Sequence, residues 1–229
     1  MGSYRLGTLL SEDGGGVVQI VRVNPLRPQP DVVRRSAELL RQGGVIAYPT
    51  ETFYGLGADA LNRQARERIL AMKGRHPDKA LPVIVSDLDQ LAALCSPVPS
   101  AVAVLAKRFW PGPLTLVVPL RPELRDAFGG TSVAVRVSGL PLARQLARAS
   151  GCCLTATSAN PSGQPPARNA REISKTLGSA LDLILDGGTT SGGRPSTIVD
   201  LVGGEPRLLR VGPVAFDEVL QALKDEAAP

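Results

Sequence analysis

Histidine occurs once in the 229 residues, at His76, so a Ser-His-Asp triad or a histidine-built metal centre has little material to draw on. Cysteine occurs three times, at Cys95, Cys152 and Cys153. An odd number with an adjacent pair gives no disulfide framework, and no C-x-x-C pair is present for zinc; the three read as buried apolar thiols. Aromatic residues make up 3% of the chain, too few for a platform that stacks single-stranded RNA. No apolar run approaches the ~20 residues needed to span a bilayer. Met1 to Val23 lacks the basic, apolar and small-residue sections of a signal peptide, so the expectation is a cytoplasmic protein with no membrane association. Also missing are G-x-x-x-x-G-K-[ST], a G-x-G-x-x-G after a strand, and a G-x-S-x-G elbow. Any nucleotide would then be held by cations and hydroxyls.

What is present describes an ordinary globular chain, 43% hydrophobic and 21% charged, which excludes disorder. The length favours one domain on a prior of roughly 150 residues each. The 24 glycines and 20 prolines follow no collagen period and read as tight loops. The net charge of +5 comes from 26 Lys and Arg against 21 Asp and Glu, and only Lys73, Lys79, Lys107, Lys175 and Lys224 of the cations are lysines. Arginine suits bidentate carboxylate and phosphate contacts, so the excess allows an anionic ligand or RNA. A codon bias toward arginine is the plainer explanation.

Val17 to Val23 reads as a first strand behind a Gly-rich leader. Asp31 can cap a helix through Leu40, and Val45 to Tyr48 is a buried strand closed by Pro49. Helices are expected at Arg63–Met72, Leu88–Leu94, Ala101–Phe109, Leu140–Ala149, Ala170–Leu177 and Phe216–Leu223. Strands are expected at Leu81–Val85, Leu114–Val118, Ser132–Val137, Cys152–Ala156, Leu183–Leu185, Thr197–Leu201 and Leu208–Val211. This interleaving predicts an α/β or α+β fold, one domain over residues 25–229 with a mixed sheet flanked by helices. Residues 1–24 are an N-terminal extension, an extra strand or a mobile leader.

Four polar, Gly- and Pro-punctuated segments sit at strand or helix ends. Pro49 to Gly57 carries two threonine hydroxyls, a carboxylate and a phenol, and fits either a ligand loop or a strand-to-helix turn. Met72 to Lys79 carries Lys73, Arg75 and Lys79 past a helix end, for helix capping or for an anion. Thr155 to Gly163 and Arg194 to Asp200 are dense in hydroxyls, which alone are often turns. If these strand ends share one sheet edge, the four segments converge on an anion-handling cleft.

Read together, they resemble the YrdC-type threonylcarbamoyl-AMP synthases. The family's motifs stand in order: P-T-E-T-x-Y-G-L-G at Pro49–Gly57, K-x-R at Lys73 and Arg75, W-P-G-P-L-T at Trp110–Thr115, V-x-V-R at Val133–Arg136, S-A-N-x-S-G at Ser158–Gly163, S-T-I-V-D at Ser196–Asp200, and L-R at Leu209–Arg210. The match runs from about Arg34 to Gly212. The resemblance implies a twisted mixed sheet around a basic central cavity, in the single-domain form. It also implies a nucleotidyltransferase that makes L-threonylcarbamoyladenylate and pyrophosphate from L-threonine, bicarbonate or CO2, and ATP with Mg2+, for threonylcarbamoyl-adenosine modification of tRNA. Lys73 and Arg75 would be catalytic, on the triphosphate and carbamate. Arg75, Lys79, Ser132, Asn160, Arg168 and Arg210 would bind ATP, and Thr52, Arg136, Ser158 and Ser196 would bind threonine, Arg136 through its carboxylate. Mg2+ would be held by the ATP phosphates, with no protein metal site. The implied partners are tRNA-modifying threonylcarbamoyl transferase proteins, with weak RNA binding besides. Two departures stand beside these motifs: Val137-Ser138-Gly139-Leu140-Pro141 replaces the family's V-P-D/N-H-P, and Val211 stands where a proline is usual.

The alternative of another class is a double-stranded RNA-binding or ribosome-maturation module, whose basic surface would hold an A-form helix. A third is carbamoyl transfer in metallo-enzyme maturation, where related domains sit in longer chains with zinc-finger cysteines. Lys73 and Arg75 with Ser158 and Asn160 favour a small-ligand pocket over the diffuse charge that duplex RNA needs.

Overall fold

The apolar runs become strands and the amphipathic stretches helices in a computed structural model that describes residues 18–76 and 80–227. In chain order these are β1 (Gln19–Arg22), α1 (Pro30–Arg41), β2 (Ile46–Pro49), β3 (Tyr54–Gly57), α2 (Arg63–Lys73), β4 (Val83–Ile84), α3 (Leu88–Leu94), α4 (Ser100–Phe109), β5 (Leu114–Pro119), α5 (Arg125–Phe128), β6 (Ser132–Arg136), α6 (Pro141–Ser150), β7 (Leu154–Thr155), β8 (Thr157–Ser158), α7 (Ala170–Leu177), β9 (Leu183–Asp186), β10 (Thr197–Asp200), β11 (Arg207–Arg210) and α8 (Phe216–Ala227). The α/β architecture with mixed sheets flanked by helices is as expected, but the strands sort into two sheets. One has the order β1-β9-β2-β3-β8 and the other β11-β10-β5-β6-β4-β7. Both mix parallel and antiparallel pairs.

Several elements differ from the sequence reading for identifiable reasons. Gln29, not Asp31, is the N-cap of α1; Pro30 occupies the first turn, and Asp31 lies there as an acidic group facing the helix dipole. The Tyr54–Gly57 segment is a strand although two of its four residues are glycine. An added Cβ on Gly57 would meet the Tyr48 ring at 2.8 Å, so the glycine makes room for that ring. The β5–β6 connection contains a 3-10 turn at Pro122–Leu124 and the short α5. The expected strand at Cys152–Ala156 shortens to β7, which belongs to the second sheet; after Ala156 the chain continues as β8 in the first. Thr155 ties the two together at this crossing. Its hydroxyl donates to the Leu56 carbonyl at 3.0 Å and accepts from the Ala58 amide at 2.9 Å. Met1 to Val17 lie outside the described residues; β1, just beyond them, pairs in parallel with β9.

The first sheet is covered on both faces. Val45, Ala47, Leu56 and Ile184 pack toward α2 and α7 with Ile69 and Ile173, while Ile46, Tyr48, Leu183 and Leu185 pack toward α1 and α6 with Leu40 and Leu146. The second sheet buries one face against α3, α4 and α8, through Leu114, Leu116, Val118, Val133, Val135 and Val199. Its other face is less covered: along β6, Ser132, Ala134 and Arg136 are half-buried while Val133 and Val135 are fully buried. Among the described residues no helix is long and apolar enough to cross a membrane.

Candidate active site

Strand directions carry the motif segments to one edge. β2 and β9 are parallel, so Pro49 and Asp186 end at the same side; β3 starts there and β8 ends there, because β3 is antiparallel to both β2 and β8. The loops 50–53, 159–163 and 187–196 therefore leave one edge of the first sheet. The last of them runs into β10, whose Thr197 pairs with Leu114 at the start of β5. The β5–β6 register pairs Leu116 with Val135, which brings Thr115 alongside Arg136, while Ile198 pairs with both Thr115 and Arg210. One cross-strand row thus reads Arg210, Ile198, Thr115, Arg136. The convergence expected from strand ends is present.

On the first-sheet side, α2 ends at Lys73, whose side chain turns into the protein and is 1% exposed. Its ammonium donates to the Ser158 carbonyl at 2.6 Å, the Asn160 carbonyl at 2.9 Å and Asn160 Oδ1 at 3.3 Å. All three acceptors are neutral, so the full positive charge stays at the site. Burial, with the charge of Arg75 beside it, pulls the Lys73 pKa down to about 8. Arg75 follows the C-cap Gly74 and donates through Nε to Ser162 Oγ at 3.1 Å. The Asn160 amide spends both hydrogens on the Pro161 and Gln164 carbonyls, at 3.0 and 2.6 Å. In this arrangement Asn160 shapes the loop and has no amide hydrogen left for a nucleotide.

On the second-sheet side, Arg136 pairs with Glu51. The Glu51 carboxylate also accepts from Ser138 Oγ at 2.9 Å and from the Gly139 amide at 3.3 Å. Burial opposes ionisation of Glu51. Arg136, by charge and hydrogen bond, and the Ser138 hydroxyl more than offset it and hold the carboxyl below its ordinary value. Along the row, Arg210 donates to the Ser196 carbonyl at 2.9 Å and to Ser196 Oγ at 3.0 Å, and Ser196 Oγ lies 2.8 Å from Thr115 Oγ1. Burial and the nearby charge of Arg136 lower the Arg210 pKa. Gly212 makes this arrangement possible: a Cβ there would lie 2.2 Å from the Thr197 amide nitrogen, so only glycine lets the chain after β11 cross over Ser196 so closely.

Two loops join the halves. The Thr52 carbonyl accepts from the Gly192 amide at 2.8 Å, and Ser191 Oγ donates to the Glu51 carbonyl at 2.9 Å. Arg168 grips the same loop from behind, donating to the Thr190 and Ser191 carbonyls at 3.0 and 3.1 Å. Its guanidinium thus acts on the protein's own backbone. Thr52 Oγ1 lies 3.5 Å from Thr50 Oγ1, which itself donates to the Phe53 carbonyl at 2.6 Å. Ser132 shares the half-buried face of β6 with Arg136 but stands at the other end of the strand, beside Pro119. Lys79 lies outside the described residues. Glu51, Thr115 and Ser138 were given no role from sequence. The first two stand inside quoted motifs, so the signal was present, while Ser138 sits where the chain departs from the motifs it resembles.

Among the described residues, Lys73, Arg75, Arg168 and Arg210 form no ion pair with a carboxylate, and Arg136 forms one, with Glu51. The edge is accordingly cationic, with hydroxyls interspersed, and suits a polyanion together with a small polar molecule. A separate hollow of about 300 Å³ between α1 and α6, lined by Val33, Arg34, Arg41 and Arg148 among others, contains none of the predicted site residues.

Comparison with known proteins agrees with this geometry. The Sua5/YciO/YrdC family model, described as telomere recombination, matches residues 38–212. A threonylcarbamoyl-AMP synthase of Bacillus subtilis is 40% identical over 190 residues, covering 82% of this chain and 55% of that protein. One of Methylobacillus flagellatus is 43% identical over 173 residues, covering 75% of this chain and 96% of the relative. The crystal structure of Pyrococcus abyssi Sua5 complexed with L-threonine superposes with a TM-score of 0.82 at 38% identity, covering 89% of this chain and 60% of the other. This chain spans only about half to three-fifths of the length of the Bacillus and Pyrococcus proteins. On the family match and these identities together, the chain belongs to the Sua5/YciO/YrdC family, that of the threonylcarbamoyl-AMP synthases.

Proposed function

We propose that this chain is an L-threonylcarbamoyladenylate synthase: from L-threonine, bicarbonate or CO2, and ATP it forms threonylcarbamoyl-AMP and pyrophosphate. The product supplies the threonylcarbamoyl group for adenosine modification in tRNA, through transferase proteins that consume it in the cytoplasm. The observation that carries this reading is the convergence, on one edge, of the Lys73–Arg75 corner with the row of Arg210, Thr115 and Arg136 and the Ser196 hydroxyl bonded beside it.

The neutral amine of threonine adds to CO2 with loss of a proton, or to bicarbonate with loss of water, to give a carbamate. A carbamate oxygen then attacks the α-phosphorus of ATP, and the bond to the bridging oxygen breaks to release pyrophosphate. No protein nucleophile is required; catalysis rests on positioning and on compensating negative charge. Lys73 is fixed on the 158–160 loop with its charge uncancelled, and Arg75 stands next to it, so together they would face the triphosphate and carbamate. Thr52, Ser158, Ser196 and Arg136 would take threonine, and Arg210 the nucleotide, with Ser132, Arg168 and Lys79 as outer contributors to a basic cavity. Asn160 would act through the loop shape. Mg2+, when bound, supplies further charge compensation on the phosphates. Among the described residues no three His, Cys, Asp or Glu side chains gather around a common point, a donor set that fits an ion carried in on the nucleotide.

The test is pyrophosphate release from ATP with L-threonine, bicarbonate and Mg2+ omitted one at a time. Release that requires each of them is the expected result. Folded protein that releases pyrophosphate without regard to threonine would overturn the reading, and salt-sensitive binding of duplex RNA would then become the function to measure.

A further inference from the structure

Glu51 stands where three of the motif segments meet. It follows β2 in the loop before β3, and its carboxylate reaches the end of β6 and the loop beyond it. An added Cβ on Gly139 would be 3.8 Å from Glu51 Oε1 and equally far from the Gly112 Cα of the Trp110–Thr115 motif. Three donors, Arg136 Nη1, Ser138 Oγ and the Gly139 amide, hold the carboxylate in one orientation. A carboxylate has about four acceptor positions, so one remains, and the side chain is still 24% exposed. Arg136 is engaged through Nη1 alone, and no buried side-chain nitrogen among the described residues lacks a partner, so its remaining nitrogens are not sealed from solvent.

A fixed cation and a fixed anion side by side form a dipole, and the complement of such a dipole is a zwitterion. The resemblance gives Arg136 the carboxylate of threonine and assigns nothing to the ammonium. We infer that Glu51 is the receptor for the α-ammonium group of the amino-acid substrate, and that the Glu51–Arg136 pair selects α-amino acids over hydroxy acids and amines by matching both charges at once. This rests on the functional reading above and adds a substrate-binding residue to it. The pair is held before any ligand arrives, so little ordering is needed on binding. Thr52 next in sequence, and Ser196 along the row, are then placed to distinguish side chains.

The test is calorimetric binding of L-threonine, 3-hydroxybutyrate (the same skeleton without the amine) and L-threonine amide (without the carboxylate). Wild-type protein is expected to bind threonine at least about tenfold more tightly than either analogue, the scale of one charge-assisted hydrogen bond. Glu51→Gln should weaken threonine by about ten- to a hundredfold and leave 3-hydroxybutyrate within about twofold, so that the preference for the amine disappears. Equal weakening of both ligands would overturn the assignment and make Glu51 a positioning residue for Arg136. If Glu51→Gln does not fold, the wild-type comparison decides alone, since equal affinity for threonine and 3-hydroxybutyrate also overturns it. Wild-type protein that binds none of the three, while RNA binds, overturns the functional reading and this inference with it. Threonine binding with no preference for the amine overturns the inference alone.

Discussion

The two sheets are built from similar residues and used differently. The first is buried on both faces, by α1 and α6 on one side and α2 and α7 on the other, so its central strands are largely apolar and a ligand meets it at its edge, through the loops and the end of β8. The second is buried on one face, and its half-covered face carries Arg136 on the strand itself, with Thr115 and Arg210 in the same cross-strand row. The difference shows two ways to place charge. The first sheet holds its cation, Lys73, at a helix end pinned by backbone carbonyls. The second holds Arg136 and Arg210 on rigid strands, each tied to another side chain.

The largest effects should come from removing what each half contributes to the shared edge. Lys73→Ala is expected to abolish adenylate formation. It should also cost about 1–3 kcal/mol of stability, because the Ser158 and Asn160 carbonyls lose a buried donor. Arg75→Ala should be nearly as inactive with an almost unchanged melting temperature, since Arg75 is only half-buried; pyrophosphate release and thermal melts on the pair separate the two outcomes. Next is a contrast within the second sheet. Leu116→Ala on the covered face should cost about 2–5 kcal/mol by chemical denaturation, whereas Ile198→Ala on the open face should cost less than about 1.5 kcal/mol. Comparable losses would mean that the open face is packed after all. Smaller is Thr115→Val, which keeps the shape and removes the partner of Ser196; kcat/KM for threonine should fall about tenfold with little change in stability.

The smallest effect sharpens the comparison through pH. The folded Lys73 pKa is about 8, below the ordinary lysine value of 10.5. Activity that needs the ammonium should therefore decline as pH rises through about 8. In the window between those values the unfolded chain binds more protons at this lysine than the folded one, so its contribution to unfolding free energy rises with pH. A rate profile falling above pH 8 without a parallel fall in melting temperature is the expected pattern, and a coincident fall would mean that the protein is simply unfolding.

Most helices and long strands were legible in the sequence, because period and punctuation agree there: Arg63 to Met72 and Leu114 to Val118 fall within a residue of α2 and β5. Illegible were the places where tertiary contact overrides local preference. Tyr54–Gly57 is half glycine and becomes a strand only because the Tyr48 ring lies against it. Cys152–Ala156 looks like one strand but keeps only Leu154–Thr155, and the chain just past Ala156 pairs with the other sheet, a choice made by partners far along the chain. At the site, the motifs of the resembled family gave Lys73, Arg75, Arg136, Ser196 and Arg210 as candidates, and their segments reach the same edge. What the sequence could not give is which of their hydrogen bonds are already spent. The resemblance gives Asn160 and Arg168 ligand contacts; both amide hydrogens of Asn160, and Nε and Nη2 of Arg168, bond the backbone of the loops they hold.

The crossing at Thr155 has a mechanical consequence. The chain leaves one sheet and enters the other with a single residue between, and the buried Thr155 hydroxyl of β7 bonds twice to the end of β3 in the other sheet, at Leu56 and Ala58. A joint so short and so fully bonded has no slack, so the sheets behave as one block and not as two plates that open and shut. Any opening at the shared edge then falls to the loops alone. Amide exchange should show this as two populations: Leu56, Ala58 and Thr155 exchanging only with global unfolding, and Gly192 exchanging far sooner.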